Sequence, residues 1–67
     1  MIGDKFKKVR QAAGLNQYEF AKRLGMKVSG ISSIETGRAH PSYLVLMKLM
    51  EEFNVDPRWL FDIYTDD

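Results

Sequence analysis

Ser32-Ser33, His40 and Glu51-Glu52 are the side chains whose types could support catalysis or metal binding. The serine pair has no histidine close in sequence to accept a hydroxyl proton, and a serine without an activating base is a weak nucleophile. His40 is the single histidine and sits beside Pro41, so no imidazole cluster can form. Adjacent glutamates on a helix diverge by about 100°, which splits Glu51 and Glu52 between faces instead of converging them on a cation. Gly25 and Gly30 are not followed by Lys-Ser/Thr, so the phosphate-cradling loop of nucleotide enzymes is missing. With no cysteine there is neither a disulfide framework nor a thiolate metal site. No catalytic constellation emerges, and no cofactor, metal or small-molecule substrate is expected.

What the sequence does offer is charge. The net charge of +1 hides a division between the two parts of the chain. Residues 1–40 carry eight Lys/Arg (5, 7, 8, 10, 22, 23, 27, 38) against three acids, which is +5. Residues 41–67 carry two bases against six acids, which is −4. Cations near a phosphate backbone release condensed counterions, so the first part suits DNA and the second suits some other contact.

The elements that must carry this charge are helices. A chain of 67 residues is a single domain, and at this size it buries only about 60% of its unfolded surface, so its core must be efficient. The opening MIGDKFKKVR has charges with no apolar run behind them, unlike a signal peptide. No segment reaches the about 18 apolar residues of a membrane span. A soluble, cytoplasmic protein with no membrane contact is the expectation. Ile2, Phe6, Val9 and Ala13 form the stripe of a first helix, with Lys5, Lys7, Lys8 and Gln11 on its solvent side and Gly14 at its end. Asn16 as N-cap, Glu19 three residues on, and Leu15 with Phe20 as a hydrophobic staple start a second helix over Gln17–Leu24. Gly25 supplies the positive φ that stops it.

The third helix, about 28–36, is announced less clearly. Lys27 cannot accept a capping hydrogen bond, so the cap is left to water or moves to Ser29. Gly30 costs a further ~1 kcal/mol relative to alanine. Ile31 and Ile34 share its inward face, and Gly37 stops it. Ser42 caps a fourth helix with Tyr43, Leu46, Met47, Met50 and Phe53 on one face, and Leu44, Val45 and Leu49 make it apolar on others. That pattern predicts a central, buried helix. Asn54 takes the left-handed position after it, and Asp56-Pro57 opens a fifth helix over about 56–64.

Two short helices joined by a tight turn, with small Ala21 where they cross, are the helix-turn-helix unit, whose second helix enters a major groove. Here the sequence resembles the phage-repressor-like (Cro/repressor, XRE-type) DNA-binding domains. The likeness runs through LNQYEFAKRLG, then Ile31-Ser32-x-Ile34-Glu35-x-Gly37, then Pro41-Ser42, and on to Trp59-Leu60. It implies an all-α, compact five-helix bundle of the lambda-repressor-like type, with the helix-turn-helix at helices 2 and 3. It further implies a transcriptional regulator, most often a repressor, bound to double-stranded operator DNA.

Site residues follow from the same resemblance. Those matching Val28, Ser29, Ser32 and Ser33 reach base edges. Gln17 bonds a phosphate, and Lys27, Arg38 and His40 lie where backbone is contacted. Arg10 and Glu35 match a family ion pair that ties the first helix to the third. The outer face of helix 3 lacks the Arg, Gln or Asn that make bidentate base contacts, which is a departure from the stronger members. Family members also dimerise through the last helix. On a wheel of about 100° per residue, Trp59, Leu60, Phe61, Ile63 and Tyr64 cover too wide an arc to bury against one domain. Leu60 and part of Trp59 or Ile63 are expected in the core, leaving Phe61, Tyr64 and the remaining edge of Trp59 for a homodimer interface that sets two half-sites. A protein-interaction module on the same scaffold, antitoxin- or coactivator-like, is the alternative.

Overall fold

A computed structural model describes residues 1–63. The helices are α1 (Ile2–Ala12), α2 (Gln17–Leu24), α3 (Val28–Glu35), α4 (Tyr43–Phe53) and α5 (Pro57–Leu60). Local chemistry sets most of their limits. Asn16 and Glu19 form the reciprocal capping box: the Glu19 amide donates to Asn16 Oδ1 (2.8 Å) and the Asn16 amide donates to Glu19 Oε1 (2.9 Å). Gly25 stands at φ 67°, where a Cβ would be strained, and ends α2. Ser42 Oγ accepts from the Val45 amide (3.2 Å) to open α4, and Asn54 closes it at φ 53°. Lys27 is the N-cap of α3 and gives it no side-chain bond, so the later start at Ser29 does not occur.

The core is Phe6 and Val9 from α1, Phe20, Ala21 and Leu24 from α2, Ile31 and Ile34 from α3, Leu49 and Leu60. Phe20 links the layers. Its ring meets Phe6 edge-on at 5.5 Å and Phe53 at 5.2 Å, geometries that suit the aromatic quadrupole. Gly3 is buried where α1 crosses α3, and a Cβ there would overlap the Ile34 carbonyl oxygen. The close approach of these two helices therefore depends on a residue with no side chain.

Four expectations are corrected. Ala13 is exposed, because α1 ends at Ala12 and the stripe stops at Val9. Lys5 does not face solvent: its side chain is 13% exposed and lies under the C-terminal segment. The fourth helix is not central. Its inward stripe is Val45, Leu46, Leu49, Met50 and Phe53, an arc of about 140°, while Tyr43 and Leu44 are each 74% exposed. The fifth helix stops at Leu60, not near residue 64. Phe61 leaves the helical region and Asp62 turns to φ 54°, held there by Lys5.

Candidate nucleic-acid interface

Glu35, the last residue of α3, receives two elements at once. Arg10 Nε donates to Glu35 Oε2 at 2.8 Å and Arg10 Nη2 to Oε1 at 3.2 Å, a forked pair. Gln17 Nε2, at the start of α2, donates to the same Oε1 at 3.1 Å. Arg10 Nη1 also reaches the Leu15 carbonyl oxygen at 3.0 Å, which ties in the α1–α2 turn. The side chains are 14% exposed at Arg10 and 4% at Glu35, so the pair lies in a region where an unmatched charge is costly. The helix-turn-helix is thus fixed to α1 by one carboxylate.

The outer side of α3 has the opposite character. Val28 and Ser29 are exposed, and Ser32 and Ser33 are half-buried. Among the described residues the hydroxyls of these three serines make no hydrogen bond, whereas Thr36 Oγ1 donates back to the Ser32 carbonyl oxygen at 2.8 Å. The first amides of α3 have no side-chain cap, which leaves N–H groups at the positive end of the helix dipole. Arg38 and Ala39 amides donate to the Ser33 carbonyl oxygen at 2.9 and 3.2 Å, so the following loop folds back on the end of α3. Lys27 and Arg38 therefore stand at opposite ends of this helix, both exposed; His40 is exposed further along the loop.

The electrostatics sharpen the division seen in the sequence. All three acids of residues 1–40 are engaged: Asp4 lies 3.7 Å from the amino terminus, Glu19 is in the capping box, and Glu35 holds Arg10. Among the described residues, Lys22, Lys27 and Arg38 have no carboxylate within ion-pair distance. Positive charge around α2 and α3 is left uncompensated.

The sequence-based residues thus divide. Arg10, Gln17 and Glu35 come together in one bonded cluster, and Val28, Ser29, Ser32 and Ser33 line one helix with Lys27 and Arg38 at its ends. Trp59 and Phe61 are exposed elsewhere, and Tyr64 lies outside the described residues. The resemblance implies that Gln17 also supports the third helix, and Glu35 is the group through which it does so; Gly3 and Lys5 carry no signal of their roles in the sequence.

Comparison with known proteins agrees with this geometry. The helix-turn-helix family matches residues 6–60. An uncharacterized HTH-type transcriptional regulator, y4dJ, from Sinorhizobium fredii (strain NBRC 101917 / NGR234) is 33% identical over 55 residues, 82% of this chain and 71% of that one. No solved structure matches the chain. The family match begins at Phe6 in α1 and runs through α5, taking in the whole bonded cluster, and the chain belongs to the XRE-type helix-turn-helix family of DNA-binding regulators.

Proposed function

We infer that the chain is a cytoplasmic transcriptional repressor that binds double-stranded operator DNA with α3 in the major groove. The observation that carries this reading is the contrast across α3. One end is bolted through Glu35 to Arg10 and Gln17, while the serine hydroxyls and the Val28 and Ser29 amides have no partner among the described residues. Val28, Ser29, Ser32 and Ser33 face base edges, offering single hydrogen bonds and a methyl contact. The second N–H of Gln17 Nε2, Lys27, Arg38 and His40 take phosphates, with Lys22 beside them. Three cations per protomer, six in a homodimer, give a salt slope of about −5, which is a roughly 10³-fold loss of affinity between 50 and 200 mM salt. The homodimer forms through Trp59 and Phe61, with Tyr64 following, and spaces two half-sites about one helical turn apart.

Titration of a random duplex at several salt concentrations tests the reading, followed by selection of bound sites from a random pool. A steep slope and a selected two-part site are expected. A second reading, a protein-interaction module, draws on the exposed Tyr43, Leu44 and Met47 of α4, apolar side chains on a helix other than α3. A flat salt slope would favour it.

A further inference from the structure

The turn between α2 and α3 encloses a cleft of about 350 Å³, lined by Tyr18, Ala21, Lys22, Met26, Lys27 and Val28. Tyr18 and Lys22 are four residues apart on α2, so they stand one turn above the other on one face. Gly25, at φ 67°, turns the chain and brings Lys27 and Val28 to the same cleft. The floor is carbon: Ala21 is buried and Met26 half-buried. The rim is polar. Tyr18 is 66% exposed, and Lys22 and Lys27 are exposed with no carboxylate within ion-pair distance among the described residues. The other polar side chains of α2 are committed elsewhere: Gln17 to Glu35, Glu19 to the capping box and Arg23 to Glu52. Tyr18 and Lys22 bond to nothing among the described residues. A carbon floor beneath a phenol and two ammonium groups suits one kind of ligand. A free inorganic anion gains nothing from Met26 and Val28, and a neutral base leaves two cations unmatched. A deoxyribose-phosphate unit carries both a carbon face and anionic oxygens, and tyrosine is among the side chains that bond phosphates.

We propose that this cleft is a backbone subsite for duplex DNA: the Tyr18 hydroxyl donates to a phosphate oxygen flanked by Lys22 and Lys27, with the deoxyribose against Met26 and Val28. The subsite rests on the DNA-binding reading above and adds Tyr18 to it. Adjacent residues on a helix diverge by about 100°, and Gln17 turns toward Glu35, so the cleft holds a different phosphate from that of Gln17. Its place beside the first residue of α3 gives it a use. Glu35 fixes the far end of that helix, whereas Lys27 gives the near end no side-chain cap. A backbone contact in the cleft fixes the near end when DNA is bound.

The test uses the full chain, first with a random duplex and then with one selected from a random pool. Tyr18→Phe removes one hydroxyl and keeps the ring, and Lys22→Gln removes one charge and keeps much of the stem. Affinity is measured across salt concentrations, and far-UV circular dichroism checks that helix content is unchanged. Each phosphate of the selected duplex is then replaced in turn by an uncharged methylphosphonate. Tyr18→Phe should weaken binding by about tenfold, the loss of a hydrogen bond to a charged group, and leave the salt slope as it was, because no charge is removed. Lys22→Gln should weaken binding and make the slope shallower by about 0.9 for each chain bound. The methylphosphonate that occupies the cleft should weaken wild-type binding and have little further effect in either variant, while other positions keep their effects. Variants that bind as wild type does, or that lose sensitivity at no single phosphate, would overturn the subsite and leave the DNA-binding reading in place. A wild-type chain with a flat salt slope on the random duplex would overturn that reading, and the subsite with it.

Discussion

Removing the carboxylate of Glu35 tests the bolt between α1 and the helix-turn-helix. Glu35→Gln strands the Arg10 guanidinium at a site where its side chain is 14% exposed and its partner 4%. Breaking one side of a buried pair costs about 3–5 kcal/mol, chiefly from the charge left unmatched. A chain of 67 residues at about 0.05–0.15 kcal/mol per residue has only about 3–10 kcal/mol in total. The single change is therefore expected to remove about a third of the stability or more. Arg10→Met should cost a similar amount, but the double variant should lose less than the sum, because no charge is then stranded. A coupling of about 1–3 kcal/mol is expected. Gln17→Ala leaves the pair intact and should cost about 1.5–3 kcal/mol for one hydrogen bond to a charged group. Urea denaturation followed by far-UV circular dichroism measures all four, with a stabilising osmolyte present if a single variant is unfolded in plain buffer. Additive losses in the cycle would show that Arg10 and Glu35 act as two independent surface charges, and the bolt would have to be abandoned.

Gly3→Ala should destabilise by more than 1 kcal/mol despite alanine's better helix propensity, because its Cβ meets the Ile34 backbone carbonyl; a melting temperature at or above wild type would contradict the close helix crossing. Gly30→Ala should stabilise by up to about 1 kcal/mol, since among the described residues its Cβ crowds only Met26 Cε at 3.1 Å, the free end of a flexible side chain; loss of stability would mean that Met26 cannot yield. Arg38→Ala should weaken every duplex about equally and reduce the salt slope by about one, whereas Ser33→Ala should change affinity little; the reverse pattern would assign direct readout to Ser33. The Asp62 carboxyl is depressed by Lys5, so its stabilising contribution is complete above the usual carboxylate range and fades as pH falls through its lowered folded value. Trp59 emission should therefore titrate on the acid side of that range, and Asp62→Asn should abolish the titration while Asp56→Asn, whose Arg58 bond is local, should not.

What was legible from the sequence was local. Both limits of α2 are written in residues touching those limits: the Asn16–Glu19 box, the Leu15 and Phe20 pair, and Gly25. The Arg10–Glu35 pair came from family resemblance; spacing alone could not bring together groups 25 residues apart. The tie from Gln17 to Glu35 needs the crossing of α2 and α3, which no one-dimensional pattern specifies. Gly3 was hidden because its partner is backbone, so a reading of side-chain stripes treats it as blank. On α4, apolar residues on more than one face make two stripes possible, and the packing of α4 against α2, with Phe53 on Phe20, chooses between them. The same is true of Lys5. Its partners Trp59 and Asp62 lie 54 and 57 residues away, and a lysine beside other lysines reads as solvated.

These particulars bear on how a weak reading face can still be useful. By intrinsic chemistry α3 is a poor helix: its N-cap side chain accepts no bond from the backbone, Gly30 lies in its interior, and only Ile31 and Ile34 are buried. Its position depends on contacts at its far end, where Glu35 joins Arg10 and Gln17 and where Gly3 lets α1 pass close to Ile34. Serines make single hydrogen bonds and give little of the roughly 1–3 kcal/mol that a bidentate contact contributes to discrimination. On the proposed reading, selectivity must then come from geometry: a rigid α3, phosphate contacts that fix its register, and a second protomer that fixes the separation of half-sites. Each of those depends on a bond distant from the bases. Glu35 holds the helix to the domain, and Lys5 ties the end of α5 to α1.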